Sequence, residues 1–320
     1  MRPVLLLVCA CVLVSCDHPS ISGGPNACGG SKEDPECFTL AFSGTTRSYL
    51  LHVPSSFRAG SGALVVALHG LGDVAPDMAE RSGLNAKADQ AGFAVVYPNA
   101  LVSRLGGLQQ WNAYFFSRYV SNPPDDIGFL RQLIAELQQQ LGPDPKRIYV
   151  TGLSNGGLMA HRVGVELSDV VAAIGVVAGT LASSPSISAL PDATQPVSVL
   201  MLHGELDDNI PCCPFRASAT QDDSFDYWVS TRANACSAVS TPEPICEGPE
   251  TPSALLEKHA TGCRGGVEVQ FYKLQGGGHA WYAAPMNVVG STPYNPFFDT
   301  STGVTTNDIL WNFFVAHPKG

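Results

Sequence analysis

A doubly wound α/β fold, an open and mostly parallel sheet with helices on both faces, is what this sequence predicts, and three observations predict it. Between residues 63 and 204, short apolar runs alternate with stretches of helical spacing, the pattern of strand-helix-strand units with right-handed crossovers. The runs at 63–68, 93–97, 170–177 and 197–202 are apolar but for Ser198 rather than alternating, as strands covered on both faces require. Residues 147–159, RIYVTGLSNGGLM, carry a β-branched strand into a helix through a glycine-flanked turn with Ser154 at its apex. A chain of 320 residues with 45% hydrophobic and 14% charged residues can bury one large core, so a single catalytic-size domain is expected. The net charge of -10 comes from scattered acids and argues against nucleic acid or an anionic membrane surface as partner.

Taken in order, residues 1–15 read as an export signal, with a basic start at Arg2 and an apolar run too short to span a bilayer. The run ends in Leu13-Val14-Ser15-Cys16, which resembles the lipobox of bacterial lipoproteins. That resemblance implies cleavage before Cys16, acylation of its thiol and a cell-envelope protein; an ordinary secretory signal with an incidental cysteine is the alternative. Residues 16–36, rich in Pro, Gly, Ser and Asp, read as a flexible tether, and the folded body is expected over 37–320. Alternation over 37–53 suits an antiparallel edge hairpin. The first buried strand, 63–68, ends in His69-Gly70-Leu71-Gly72-Asp73; a helix over 76–91 and a strand over 93–97 follow.

Residues 101–124 hold Trp111, Tyr114 and further aromatics between glycines and prolines, a long loop of the kind that carries function. Asp125 and Asp126 open a helix whose apolar residues Ile127, Leu130, Ile134, Leu137 and Leu141 recur at helical spacing until Gly142-Pro143. Residues 221–234 read as a helix, 237–262 as a Pro-rich, Cys-bearing insertion, 267–274 as a strand, and 307–315 as a final helix. Outside the leader and Cys16 the cysteines number seven, which leaves one unpaired: Cys28 and Cys37 can close a small loop, and a bridge among Cys236, Cys246 and Cys263 would staple the insertion. Neither Cys-x-x-Cys nor Cys/His ligand spacing occurs, so no metal or other cofactor is expected.

The chemistry centres on Gly152-Leu153-Ser154-Asn155-Gly156, a G-x-S-x-G turn. A serine hydroxyl is a weak nucleophile unless a base takes its proton, and the base works best when a carboxylate fixes its tautomer. On this fold the acid and then the histidine follow the serine, each from a loop after a later strand. After the strand at 197–202 come three candidate acids, Glu205, Asp207 and Asp208; after the last strand, Gly276-Gly277-Gly278 presents His279 as base. His69 and His203 end strands at His-Gly turns and read as rings hydrogen-bonded beneath loops. The oxyanion donors expected are the backbone N–H groups of Asn155 and Leu71. Trp111, Tyr114, Trp281 and Tyr282 are candidates for lining a substrate pocket, loop packing being their other reading.

Six ordered motifs resemble the secreted polyhydroxybutyrate depolymerase and feruloyl esterase group of α/β hydrolases: LHGLGD, Trp111-Asn112, DDIGFLRQLI at 125–134, GLSNGG at 152–157, HGELDDNIP at 203–211 and GGGHAW ending at Trp281. The resemblance covers about 45–316. It implies an α/β-hydrolase fold and a serine esterase with Ser154 as nucleophile, Asp207 as acid and His279 as base, acting on a small or oligomeric ester without a cofactor. Membrane contact would come only through the lipid at Cys16. Leu71 stands where the family often has cysteine, Tyr282 where proline commonly follows the tryptophan, and Cys212-Cys213 follows Pro211; these departures bear on pocket shape and substrate. A serine peptidase on the same fold and a non-catalytic surface-binding homologue are the alternatives.

Overall fold

The structure, a computed structural model, describes residues 28–29, 36–103, 107–114, 122–181, 190–211, 220–240, 255–274, 277–282 and 305–320. The leader, Cys16, nearly all of the tether, and Cys212, Cys213 and Cys246 lie outside the described residues.

The continuous apolar runs become the middle of one sheet. Strands β3 (Leu64–Leu68), β4 (Ala94–Pro98), β5 (Ile148–Leu153), β6 (Ala173–Val177) and β7 (Ser198–Gly204) are buried at every position. They pair in parallel with each other, and β7 pairs in parallel with β10 (Val269–Leu274). The hairpin of β1 (Cys37–Phe42) and β2 (Thr45–His52) adds antiparallel to β4, while β9 (Leu255–Thr261) and β8 (Ala238–Val239) add antiparallel beyond β10. Among the described residues the order is β1-β2-β4-β3-β5-β6-β7-β10-β9-β8. This is the mixed, mostly parallel sheet that the sequence predicts.

Strand alternation sends side chains to two cores. Leu64, Val66 and Leu68 join one cluster with residues of α3 (Asp126–Leu141), α4 (Asn155–Glu166) and α5 (Gln221–Val229). Val65 and Ala67 join the other, with α1 (Ala75–Ser82), α2 (Leu84–Ala91) and α6 (Thr306–Ala316). Helices thus cover both faces, and the loops after the carboxyl ends of β3, β5, β7 and β10 are left to form a site.

Three expectations are corrected in detail. The helix expected over 76–91 is two helices, because Gly83 adopts a left-handed φ of 61° and caps α1 while starting α2. The helix expected over 221–234 stops at Val229, where Ser230 turns extended. The insertion at 237–262 carries β9 and the edge strand β8, its Pro-rich middle lying outside the described residues. The expected bridges form between Cys28 and Cys37 and between Cys236 and Cys263. No helix among the described residues is long and apolar enough to cross a membrane.

Candidate active site

The serine turn is tight because its glycines leave no room for anything larger. A Cβ on Gly152 would stand 2.3 Å from the Gly156 carbonyl oxygen, and one on Gly156 would stand 2.1 Å from that of Leu68. Between them Ser154 takes φ 56° and ψ -119°, a conformation that non-glycine residues rarely hold. It is fixed from both sides: its N–H donates to the Val177 carbonyl (3.0 Å), and its own carbonyl accepts the first bond of α4, from Leu158 (2.9 Å). Ser154 stays partly exposed, while Leu153 and Asn155 on either side are buried.

Of the three candidate acids, Asp207 is buried and the one that meets the histidine; Glu205 and Asp208 are more exposed. Asp207 Oδ1 accepts from the backbone N–H groups of Asn209 (3.0 Å) and Ile210 (2.8 Å), and Oδ2 lies 2.7 Å from His279 Nδ1. Three nitrogen atoms thus hydrogen-bond to one carboxylate whose burial only ionic and amide partners make tolerable. The loops that carry Asp207 and His279 close on each other through glycine: Leu206 N–H donates to Gly277 O (2.7 Å), and a Cβ on Gly204 would stand 2.4 Å from the same oxygen.

A cavity of about 520 Å³ opens over this constellation. Ser154, Asn155, His279, Gly70 and Leu71 line it, together with the ion pair Asp73–Arg81 (3.2 Å), Thr180 and an apolar wall that includes Leu158, Ile210 and Pro211. Both expected oxyanion residues, Asn155 and Leu71, therefore border the same space as the serine. The His-Gly turn lies against Ser154, since a Cβ on Gly70 would stand 3.8 Å from Ser154 Cβ.

The four aromatic candidates do not line this cavity among the described residues. Trp111 is fully buried beneath the loops, its Nε1 donating to His69 O (3.1 Å), and it borders a separate cavity of about 440 Å³. Tyr114 lies under the Arg162 guanidinium, 5.3 Å from it. Trp281 is buried with Nε1 on Asn307 Oδ1 (2.9 Å), and Tyr282 donates to the Gly278 carbonyl (3.0 Å), bracing the loop that holds His279. Loop packing is the reading that these contacts support, because indole and phenol groups bury well once their polar tips are bonded.

His69 is likewise a support: Nδ1 faces the Gly70 carbonyl (2.7 Å) and Nε2 accepts from Ala100 N–H (3.0 Å). Burial pushes its pKa down to about 4, so the ring is neutral at ordinary pH.

The sequence reading missed how the Asn155 side of the site is held. The Asn155 side chain clamps the backbone of Trp111, accepting from its N–H (2.7 Å) and donating to its carbonyl (3.3 Å). Next door, Asn112 N–H donates to Asp126 Oδ2 (2.8 Å), and Asp126 Oδ1 meets Arg47 of β2 at 2.8 Å. Arg47 and Asp126 are both buried; burial pulls the guanidinium below and pushes the carboxyl above their ordinary values, each opposed by the other's charge. The signal was present in Trp111-Asn112 and in the DDIG motif, but their partnership is set by topology.

Residues 47–197 match the family described as Esterase PHB depolymerase. The chain is 32% identical to "Putative esterase NocK" of Nocardia uniformis subsp. tsuyamanensis, over 80% of this chain and 75% of that protein. It is 27% identical to Feruloyl esterase B of Piromyces equi, over 73% of this chain and 42% of the relative, and 31% identical to a Poly(3-hydroxybutyrate) depolymerase of Ralstonia pickettii, over 53% and 36%. The chain thus spans less than half the length of the last two. Among solved structures, the fold is shared with pOPH in its native form (TM-score 0.60, 14% identity, 91% of this chain and 90% of that one). It is also shared with an acetyl xylan esterase from Aspergillus awamori (TM-score 0.53, 15% identity, 87% and 98%).

Proposed function

The chain belongs to the Esterase PHB depolymerase family of carboxylic ester hydrolases, and from that premise we propose that it cleaves esters through an acyl-enzyme on Ser154. His279 takes the serine proton as the hydroxyl attacks the carbonyl, and Asp207 orients the ring through Nδ1. The backbone N–H groups of Asn155 and Leu71 receive the oxyanion. His279 then returns the proton to the departing alcohol, and a water activated by the same ring hydrolyses the acyl-enzyme. The observation that carries this reading is the 2.7 Å contact of His279 Nδ1, which lines the same cavity as Ser154, with a buried, doubly amide-bonded Asp207 behind it.

The relatives' names span feruloyl, acetylxylan and hydroxybutyrate esters. The cavity's mixed lining, with Asp73, Arg81, Thr180 and Asn209 beside the aliphatic wall, favours a short acyl group over a long chain. Export is supported by the disulfides, which suit an oxidising compartment. The leader at 1–15, a lipid on Cys16 and a tether to residue 36, ahead of the catalytic body at 37–320, complete the proposal. Loss of fatty-acid labelling in Cys16→Ser is the expected result; a mature wild-type chain without lipid would remove the anchor.

A fluorophosphonate probe tests the mechanism: it is expected to label the wild-type chain and not Ser154→Ala, whose kcat falls by at least roughly 10⁴-fold. Persistent labelling of the variant would refute the serine reading. A panel of short and long nitrophenyl esters, methyl ferulate, hydroxybutyrate oligomers and a peptide amide tests the substrate. Preference for the amide would make the protein a peptidase.

A further inference from the structure

Two imidazoles approach one carboxylate oxygen. Asp207 Oδ2 lies 2.7 Å from His279 Nδ1 and 3.3 Å from Nε2 of a second ring, His203. His203 stands at the end of β7, is 1% exposed, and uses both nitrogens. Its Nε2 is 2.7 Å from the Ile210 carbonyl, and its Nδ1 is 2.8 Å from Gln221 Nε2. Gln221, fully buried at the start of α5, also directs this amide nitrogen to the Gly179 carbonyl at 3.2 Å. A carbonyl oxygen in that place would face another carbonyl oxygen, so the amide orientation is determined. Nδ1 of His203 is therefore an acceptor, and the single proton sits on Nε2.

We infer that His203 is a positioning residue for the acid: a neutral imidazole, its tautomer set by Gln221, that anchors the 207–210 turn from beneath and turns its N–H edge toward Asp207. The inference rests on the reading of Asp207 and His279 as acid and base. The anchoring acts through one residue. Ile210 gives its carbonyl to His203 and its N–H to Asp207 Oδ1, so fixing the first orients the second. Ile210 also lines the catalytic cavity, and the same brace sets that wall.

The two rings divide the work by environment. His203 faces Asp207 on the acid loop, His279 on the loop after β10, the Gln221 amide on α5 and the carbonyls of Ile210 and Gly179. Burial holds its pKa below the ordinary value, Asp207 opposes this, and a positive His279 adds to it. The proton taken from serine goes to His279, whose side chain is 15% exposed.

Two experiments test this. Nitrogen NMR of the wild-type chain is expected to find His203 protonated on Nε2 alone throughout about pH 5 to 8; titration in that range, or a proton on Nδ1, overturns the inference. His203→Phe keeps the ring without the N–H. It is expected to lower kcat roughly 10- to 100-fold with little change in KM, and to move the acidic limb of kcat/KM to higher pH. The shift has that sign because a carboxylate deprived of an N–H dipole holds the His279 proton more tightly. His203→Gln, which can again donate to Ile210, is expected to recover part of both effects. A folded His203→Phe with kcat within about twofold of wild type and an unmoved limb, in a protein whose Ser154 is labelled, overturns the inference alone. An unlabelled Ser154 overturns the serine reading, and the inference with it.

Discussion

At the scale of single residues, Asn155 does two jobs with two parts. Its backbone N–H is assigned to the oxyanion, and its side chain holds the Trp111 backbone at 2.7 and 3.3 Å. Asn155→Ala keeps the first and loses the second, so kcat is expected to fall roughly 10-fold with KM little altered. Steady-state kinetics on a short nitrophenyl ester checks this; a rise in KM alone would mean that the clamp shapes binding instead. Ser154 and His279, the proposed nucleophile and base, stand out in the sequence because each lies in a short glycine-bearing turn of the kind that this chemistry demands. Asp207, the proposed acid, stands out only through the family's spacing, since Glu205, Asp207 and Asp208 are carboxylates in one short loop. Burial separates them, and burial depends on which side chain the turn points inward. The four aromatics went the other way, because composition does not say whether an indole faces a cavity or the layer beneath it.

At the scale of elements, the junction of β5 and α4 is limited by backbone contact. Gly156→Ala places a methyl where the Leu68 carbonyl oxygen already is, 2.1 Å away, and backbone atoms cannot rotate aside. Destabilisation of ~3 kcal/mol or more is expected, read as a fall in the urea midpoint. Gly278→Ala, with nothing within 4 Å, is expected to have little effect on the same measurement. The apolar runs announced β3 to β7 because strands covered on both faces leave few polar positions. The break at Gly83 was not announced: glycine inside a helical pattern reads as a small propensity cost, and whether it becomes left-handed depends on where the next helix must pack. Strands β8 and β9 were hidden for the opposite reason. The two residues of β8 are exposed and too few to show a pattern, and the pairing of β9 with β10 on one side and β8 on the other supplies what the sequence does not display.

For the whole molecule, buried neutral histidines set acid sensitivity. Burial lowers His69 to about 4 and His161 to about 3, from an ordinary 6.5. The unfolded chain therefore binds these protons first: stability is unaffected above the ordinary pKa and is lost as pH falls below it, until each folded pKa is reached. The loss is about 1.4 kcal/mol per pH unit for each ring. Denaturation at several pH values below 6.5 is expected to show this slope, and His161→Gln to reduce it by one proton. Reducing either disulfide is expected to cost about 2–4 kcal/mol, and thiol counting on unreduced protein should find Cys28, Cys37, Cys236 and Cys263 blocked. The sheet was foreseeable from patterning, whereas contacts between distant segments were not. The Arg47–Asp126 pair is the clearest of these. Through Asn112 and Trp111 it connects the edge hairpin to Asn155, so a chain trimmed to its parallel strands would be an incomplete enzyme. Clipping or displacing β2 would strand a buried carboxylate and be felt as lost turnover, which makes the rim of the sheet a place where damage, or a ligand, could silence the centre from afar.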